Sequence, residues 1–268
     1  KFLYDHQGID CGKYNIDPIP HDKDYFQSQL VAVDSYFRSV SYGKFGIDLQ
    51  SSSIYPSHQD STFTINNEMS YYNPYDDYDL QEPRLTELFK NALLLADQKE
   101  QVDYENYDLV VVFHAGIGQD FSLPFLDPTP EDIPSTYIDS QMIQEHLGVP
   151  SINVNGHDVK KGLILPETQN HLLFDISKSM FGSASNPCDY QYGLNGTLSL
   201  MIGFAIGLPP LWDIESGESR IGVFGLMDQG SNNGRGLIPS PPDPWTRIYA
   251  GWEKPNIING NSQISLAK

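Results

Sequence analysis

Seven histidines, His6, His21, His58, His114, His146, His157 and His171, are the side chains best suited to ligate a metal or move protons. A zinc-binding helix needs two of them one turn apart, so that both imidazoles face one ion, with a glutamate beside the first as general base. No two of the seven stand at that spacing. His114 ends a strand-like run and reads as a satisfied structural histidine. His21 precedes Asp22 and Asp24, which reads as a helix start, where carboxylates cap and a cation is disfavoured. The chain has no G-x-S-x-G elbow, and Gly116-Ile-Gly118 lacks the third glycine of a dinucleotide site. Cys11 and Cys188 fit either one bridge or two thiols, and Cys188 reads as structural.

Carboxylates are the other chemically capable groups. Calcium takes many oxygen ligands from flexible, acidic, Asn/Gly-rich loops. Asp213 to Glu218, Asp228 to Asn233 and Asp76 to Glu82 have that composition, and Asp213, Glu215 and Asp228 are the candidate ligands. None of the loops has EF-hand spacing. Pairs such as Asp213/Glu215 and Asp76/Asp79 read as solvated loop charge, not as a glycosidase acid and base.

These groups need elements to hold them. Phe26, Leu30, Val33, Phe37 and Val40 make one apolar stripe, which predicts an amphipathic helix over 21–41 ended by Gly43. Short strands are expected at 46–54 and 62–65. A second helix is expected from Pro83, a residue suited to a first helical position, with Leu85, Leu88, Phe89, Ala92, Leu95 and Ala96 on one face. Asp108 to His114 is a β-branched run that predicts a central buried strand. Residues 152–154 and 163–165 read as strands paired across Asn155-Gly156, a hairpin dipeptide. A helix is expected over 166–182, and a buried one from Leu198 to about Leu208. Asn195-Gly-Thr197 is a sequon that reads more simply as a turn, with Thr197 as a helix cap. Helices alternating with strands give an α/β (α+β) reading.

Composition narrows the function. Acidic residues number 35 and basic ones 16, a net charge of -19. That balance excludes a nucleic-acid footprint and disfavours an anionic membrane surface. The apolar stretch near Leu198 is too short to span a bilayer, so no membrane insertion is expected. Sixteen Tyr, 13 Phe and 3 Trp supply a core and aromatic contact surface.

The segment 193–213 ends in Gly207-Leu-Pro-Pro-Leu-Trp-Asp213. It resembles the active-site helix of the immune inhibitor A-like secreted metalloproteases, H-E-x-x-H-x-x-G-L-P-D-L-Y-D. Other pieces are similar in the same order. They are the first helix ending Tyr36-Phe-Arg-Ser-Val-Ser-Tyr-Gly43, Val112-Phe-His-Ala-Gly116, Leu163-Ile-Leu-Pro-Glu167, Ile221 to Asp228 with Met227 as the methionine of the turn below the metal, Gly234 to Pro242, and Asp243 to Trp252. Together they cover roughly residues 12–254. The resemblance implies a zincin-like fold: a mixed twisted sheet with packed helices, plus an irregular C-terminal part around the methionine turn. It implies one metalloprotease-like domain over 1–268, with an N-terminal part to about 193, the former active-site helix and methionine turn over about 194–254, and a tail over 255–268.

The departure is at the chemistry. Counting back from Gly207, the first histidine position is Leu200, the glutamate position Met201, the second histidine position Phe204, and the acidic position after Leu-Pro is Pro210. None of these side chains can do the family's work. The expectation is therefore a secreted or cell-surface pseudo-metalloprotease without zinc, reading as a processed chain. Its role is structural or binding, with protein partners or self-assembly through the aromatic, Asn- and Pro-rich loops. The alternatives are an active metalloendopeptidase with non-standard ligands, and a peptide-binding module that does not cleave.

Overall fold

The structure, a computed structural model, describes residues 16–59, 61–74, 77–121, 129–169, 191–261 and 263. Helix α1 spans Lys23–Val40. Asp22 caps it, its carboxylate accepting the amides of Asp24 and Tyr25. Its stripe buries Phe26, Val33 and Phe37. The chain leaves through two left-handed residues, Tyr42 at φ 59 and Gly43 at φ 74.

The strand expected at 46–54 is absent. Its first amide goes elsewhere: the N–H of Ile47 donates to Asp34 Oδ1 of α1 at 2.6 Å, and the chain then turns at Asp48. A helix side chain has taken a donor that a ladder would need. No strand forms at 62–65 either.

After the short α2, Met69–Tyr72, comes α3, Tyr78–Glu100, which begins before Pro83 and contains it. A proline near the helix start forfeits one early hydrogen bond while its fixed φ stays helical, so the first turn survives. Leu85, Leu88, Phe89 and Leu93 are buried.

Three strands form a mixed sheet of order β1-β5-β2, with β1 at Val110–Ile117, β2 at Thr136–Ile138 and β5 at Gly162–Thr168. β1 runs parallel to β5, with Val112 opposite Ile164. β2 is antiparallel to β5. Among the described residues the run at 108–114 is thus an edge strand of this sheet, and the fully buried central strand is β5. Ile164 enters one apolar cluster, Leu163 and Leu165 the other. A strand covered on both faces needs that unbroken apolar run.

Asn155-Gly156 does make a hairpin, but between β3 (Ile152–Val154) and β4 (His157–Val159). Both turn residues have positive φ, 49 and 92, as the tight primed turn demands. Helix α4, Ser140–Leu147, precedes this hairpin and ends on Gly148. Residues 166–168, expected as helix, belong to β5, and 170–182 lie outside the described residues.

Helix α5 spans Asn195–Ala205 and α6 spans Pro244–Tyr249. The molecule is mixed α/β, a small mixed sheet with several helices. One core lies under α3, α4 and the β3–β4 hairpin; the other lies between α1 and α5 and includes Met227 and Trp252. Among the described residues no helix is long and apolar enough to cross a membrane.

Candidate functional site

Helix α5 is apolar nearly all round, so it is buried. Leu198 and Ile202 enter the core shared with α1. The helix begins three residues earlier than expected. Thr197 lies inside it, buried, and Leu194 occupies the cap position without a side-chain bond. The helix ends where Gly207 turns at φ 87 and Leu208 returns its N–H to the Gly203 carbonyl at 2.9 Å.

Met227 is fully buried beneath this helix. Its carbonyl accepts the N–H of Leu211 at 2.8 Å. A Cβ added at Gly203 would lie 2.7 Å from its sulfur, so the Met227 side chain would have to shift to admit one.

Leu200 and Phe204 share one helix face, one turn apart. Both are half-buried against the second core, as is Met201. The Phe204 ring lies near-parallel to Tyr137 at 6.4 Å and edge-on to Trp212 at 5.5 Å. Pro210 is half-buried in the turn that follows. Because the Phe204 ring is only partly buried, Phe204→Ala should cost about 2 kcal/mol, below the range for a fully enclosed ring. A denaturant midpoint lowered at unchanged slope checks this; a midpoint equal to wild type would show that the ring stack contributes nothing.

Asp213 and Asp228 are drawn to one loop by Arg220. Its guanidinium donates to Asp213 Oδ2 at 2.6 Å and its backbone N–H to Asp228 Oδ2 at 2.9 Å. Asp213 Oδ1 also accepts the amides of Glu215 and Ser216. Burial pushes the Asp228 carboxyl up, yet the amides of Ile221 and Arg220 and the Ser219 hydroxyl outweigh it, and the group is held below the usual carboxylate range. A calcium ion at Asp213, Glu215 and Asp228 would compete with these donors for the same lone pairs. The described residues gather a different ligand-rich trio, Asp103, Glu105 and His157, whose ligand atoms lie within 4.8 Å of one another at the surface. The neighbouring cavity of about 470 Å³ is lined by Tyr104, Tyr107, Tyr137 and Lys161 among others.

His114 accepts the structural role expected of it. Its ring nitrogens face the carbonyls of Ala115 and Ile133 at 2.9 and 3.1 Å. Burial pushes its pKa down to about 4 against those two carbonyls, so the ring is neutral near pH 7.

Sequence reasoning missed a buried polar cluster at the carboxyl ends of the parallel strands. His21 Nδ1 stands 3.5 Å from Glu167 Oε1, both side chains 1% exposed. His21 Nε2 is 2.9 Å from the Asp17 carbonyl. The Tyr25 hydroxyl donates to the Glu167 carbonyl at 2.7 Å, and its ring stacks on His21 at 4.2 Å. Thr168 and Gln29 donate to the Asp17 carboxylate. Nearby, Asp120 accepts from Ser135 and Gln169. The one local signal was His21 itself: a histidine followed by a capping aspartate reads as a helix start, and its partner Glu167 is remote in the chain.

Cys11 and Cys188 fall outside the described residues, as does Asp76 of the acidic loop. Set beside known proteins, the chain matches no family model, no curated protein and no solved structure.

Proposed function

We propose that this chain is a secreted or cell-surface pseudo-metalloprotease domain with a zincin-like arrangement, and that it binds or assembles instead of cutting. The observation that carries the reading is the face of α5. The two positions one turn apart, where the resembled proteases hold zinc, carry Leu200 and Phe204, and Phe204 is packed against Tyr137 and Trp212. Aliphatic and phenyl groups offer a borderline cation nothing. Met227 under the same helix supports the kinship.

The binding half of the proposal rests on the surface of the C-terminal part. Phe224, Ile238, Trp245 and Tyr249 are exposed there, and Val223 joins Phe224 near Ser240 through Asn233. Large apolar side chains left in water at this density favour protein contact.

Exchange against zinc followed by elemental analysis, run beside a casein and gelatin assay, tests the proposal. The expected result is less than stoichiometric zinc and no chelator-sensitive cleavage. Stoichiometric zinc with chelator-sensitive cleavage would establish the active endopeptidase instead. Retention of peptides on an array by a strictly monomeric protein would favour the peptide-binding module over assembly.

A further inference from the structure

We propose that Asp17, His21 and Glu167 form a pH-governed latch that fastens segment 16–22 to the carboxyl end of β5 and the start of α5, and that closes on mild acidification. The geometry brings three ionisable groups together, two of them sealed from water and Asp17 partly exposed. His21 lies between the Asp17 carbonyl and the Glu167 carboxylate, with its side chain and that of Glu167 sealed from water. Asp17 reaches three elements. Gln29 of α1 and Thr168 of β5 donate to its carboxylate, and so does the backbone N–H of Leu194, just before α5. The adjoining Ile16 N–H donates to the Gln191 side chain at 2.5 Å.

The groups facing the cluster set its charge. From α1 comes Tyr25; from β5 comes Glu167; from the segment itself come Asp17 and His21. Asp120 lies beyond Gln169, where burial holds its carboxyl above the usual range. Burial and the two carboxylates push the Tyr25 hydroxyl far up, so it stays neutral. Burial pushes Asp17 up to about 6 against the pull of His21. Burial pushes His21 down, but its contacts with Glu167 and Asp17 outweigh that, and it ends above its ordinary 6.5.

The sign follows from these directions. A group whose pKa is raised in the closed state takes up a proton on closing. Closing is therefore favoured by acid, fully below the ordinary values and progressively less as pH rises through the raised ones. Near pH 5 Asp17 is protonated and His21 carries its proton beside Glu167. As pH rises Asp17 ionises and His21 loses its proton, so the Asp17 carboxylate stays among these groups with no cation beside it, an arrangement that favours opening. From Asp17 alone, with 3.8 rising to about 6, the opening equilibrium grows about tenfold between pH 5 and 7. Loss of the His21 proton adds to this at higher pH.

Hydrogen exchange in the full chain, corrected for intrinsic rates, tests the latch at the amides of Ile16 and Leu194. Wild type should lose about tenfold protection or more from pH 5 to 7. Asp17→Asn removes one titrating group without changing shape, so its profile should be markedly flatter and its protection at pH 7.5 higher than wild type. Asp24→Asn, on the exposed side of the same helix start, should track wild type. Should Asp17→Asn fail to fold, the wild-type profile and the ring-proton titration of His21 still decide. Wild-type protection that is flat across the range, a His21 midpoint at or below 6.5, or an Asp17→Asn profile parallel to wild type would overturn the latch.

Discussion

Asp228→Ala should be among the most damaging single changes in the molecule, costing about 3 kcal/mol. The side chain is buried, and five donors converge on it. Its Oδ2 accepts the Ser219 hydroxyl at 3.0 Å and the amides of Arg220, Ile221 and Gly222 at 2.9, 2.8 and 2.9 Å. Its Oδ1 accepts the amide of Gln229 at 2.8 Å. Alanine leaves these donors facing a void. Ser219 and Arg220 are exposed enough to recruit water, which keeps the loss below the sum of five bonds. Asp228→Asn keeps the shape and one acceptor oxygen, so about half the loss is expected. The native pKa is depressed, so this stabilisation is present above the ordinary carboxylate value of 3.8 and is lost as pH falls through the depressed one. Urea unfolding at pH 7 and again near pH 3 checks both points: the gap between wild type and Asp228→Asn should narrow in acid. An Asp228→Ala variant within 1 kcal/mol of wild type would show that water replaces the carboxylate without loss.

What was legible in the chain was whatever one element could decide by itself. The stripe through Phe26, Val33 and Phe37 needs only helical periodicity, and α1 follows it. Asn155-Gly156 needs only two residues with positive φ, and the turn forms there. The partner of a strand is a different kind of quantity. Residues 163–165 are all apolar because both faces of β5 are covered, but no local pattern names β1 and β2, the strands that pair along its edges. The same limit hid the polar cluster. His21 and Asp17 are close in sequence, but the carboxylate that makes them a cluster comes from the end of β5. That α5 is apolar at Leu200, Met201 and Phe204 is plain from the residues themselves. That Phe204 packs on Tyr137 is not, because β2 is only three residues long, too short a run to show a period.

Gly196→Ala should cost about 3 kcal/mol, although alanine is the better helix former. A Cβ at this position would lie 2.0 Å from the Ser231 carbonyl oxygen and 3.0 Å from the Gly236 Cα, all backbone that cannot rotate aside. The contact is also stitched by hydrogen bonds. The Gly196 N–H donates to the Gly236 carbonyl at 2.7 Å, and the Gly193 N–H to that of Arg235 at 2.8 Å. Relieving the clash means moving the 231–236 loop, and that loop follows the Asp228 turn and Met227. Gly207→Ala is the control, because it has φ 87 and open space around it, so only the left-handed backbone resists, at about 1–2 kcal/mol. If Gly196→Ala were the milder of the two, the close approach of α5 to the loop would carry little stability. If it is the harsher, as the geometry requires, the seat of α5 is set by Gly196 against the backbone of the loop that follows Met227. A helix seated in that way stays in register whatever occupies positions 200 and 204. That independence allows Leu200 and Phe204 to stand there without unfolding the C-terminal part.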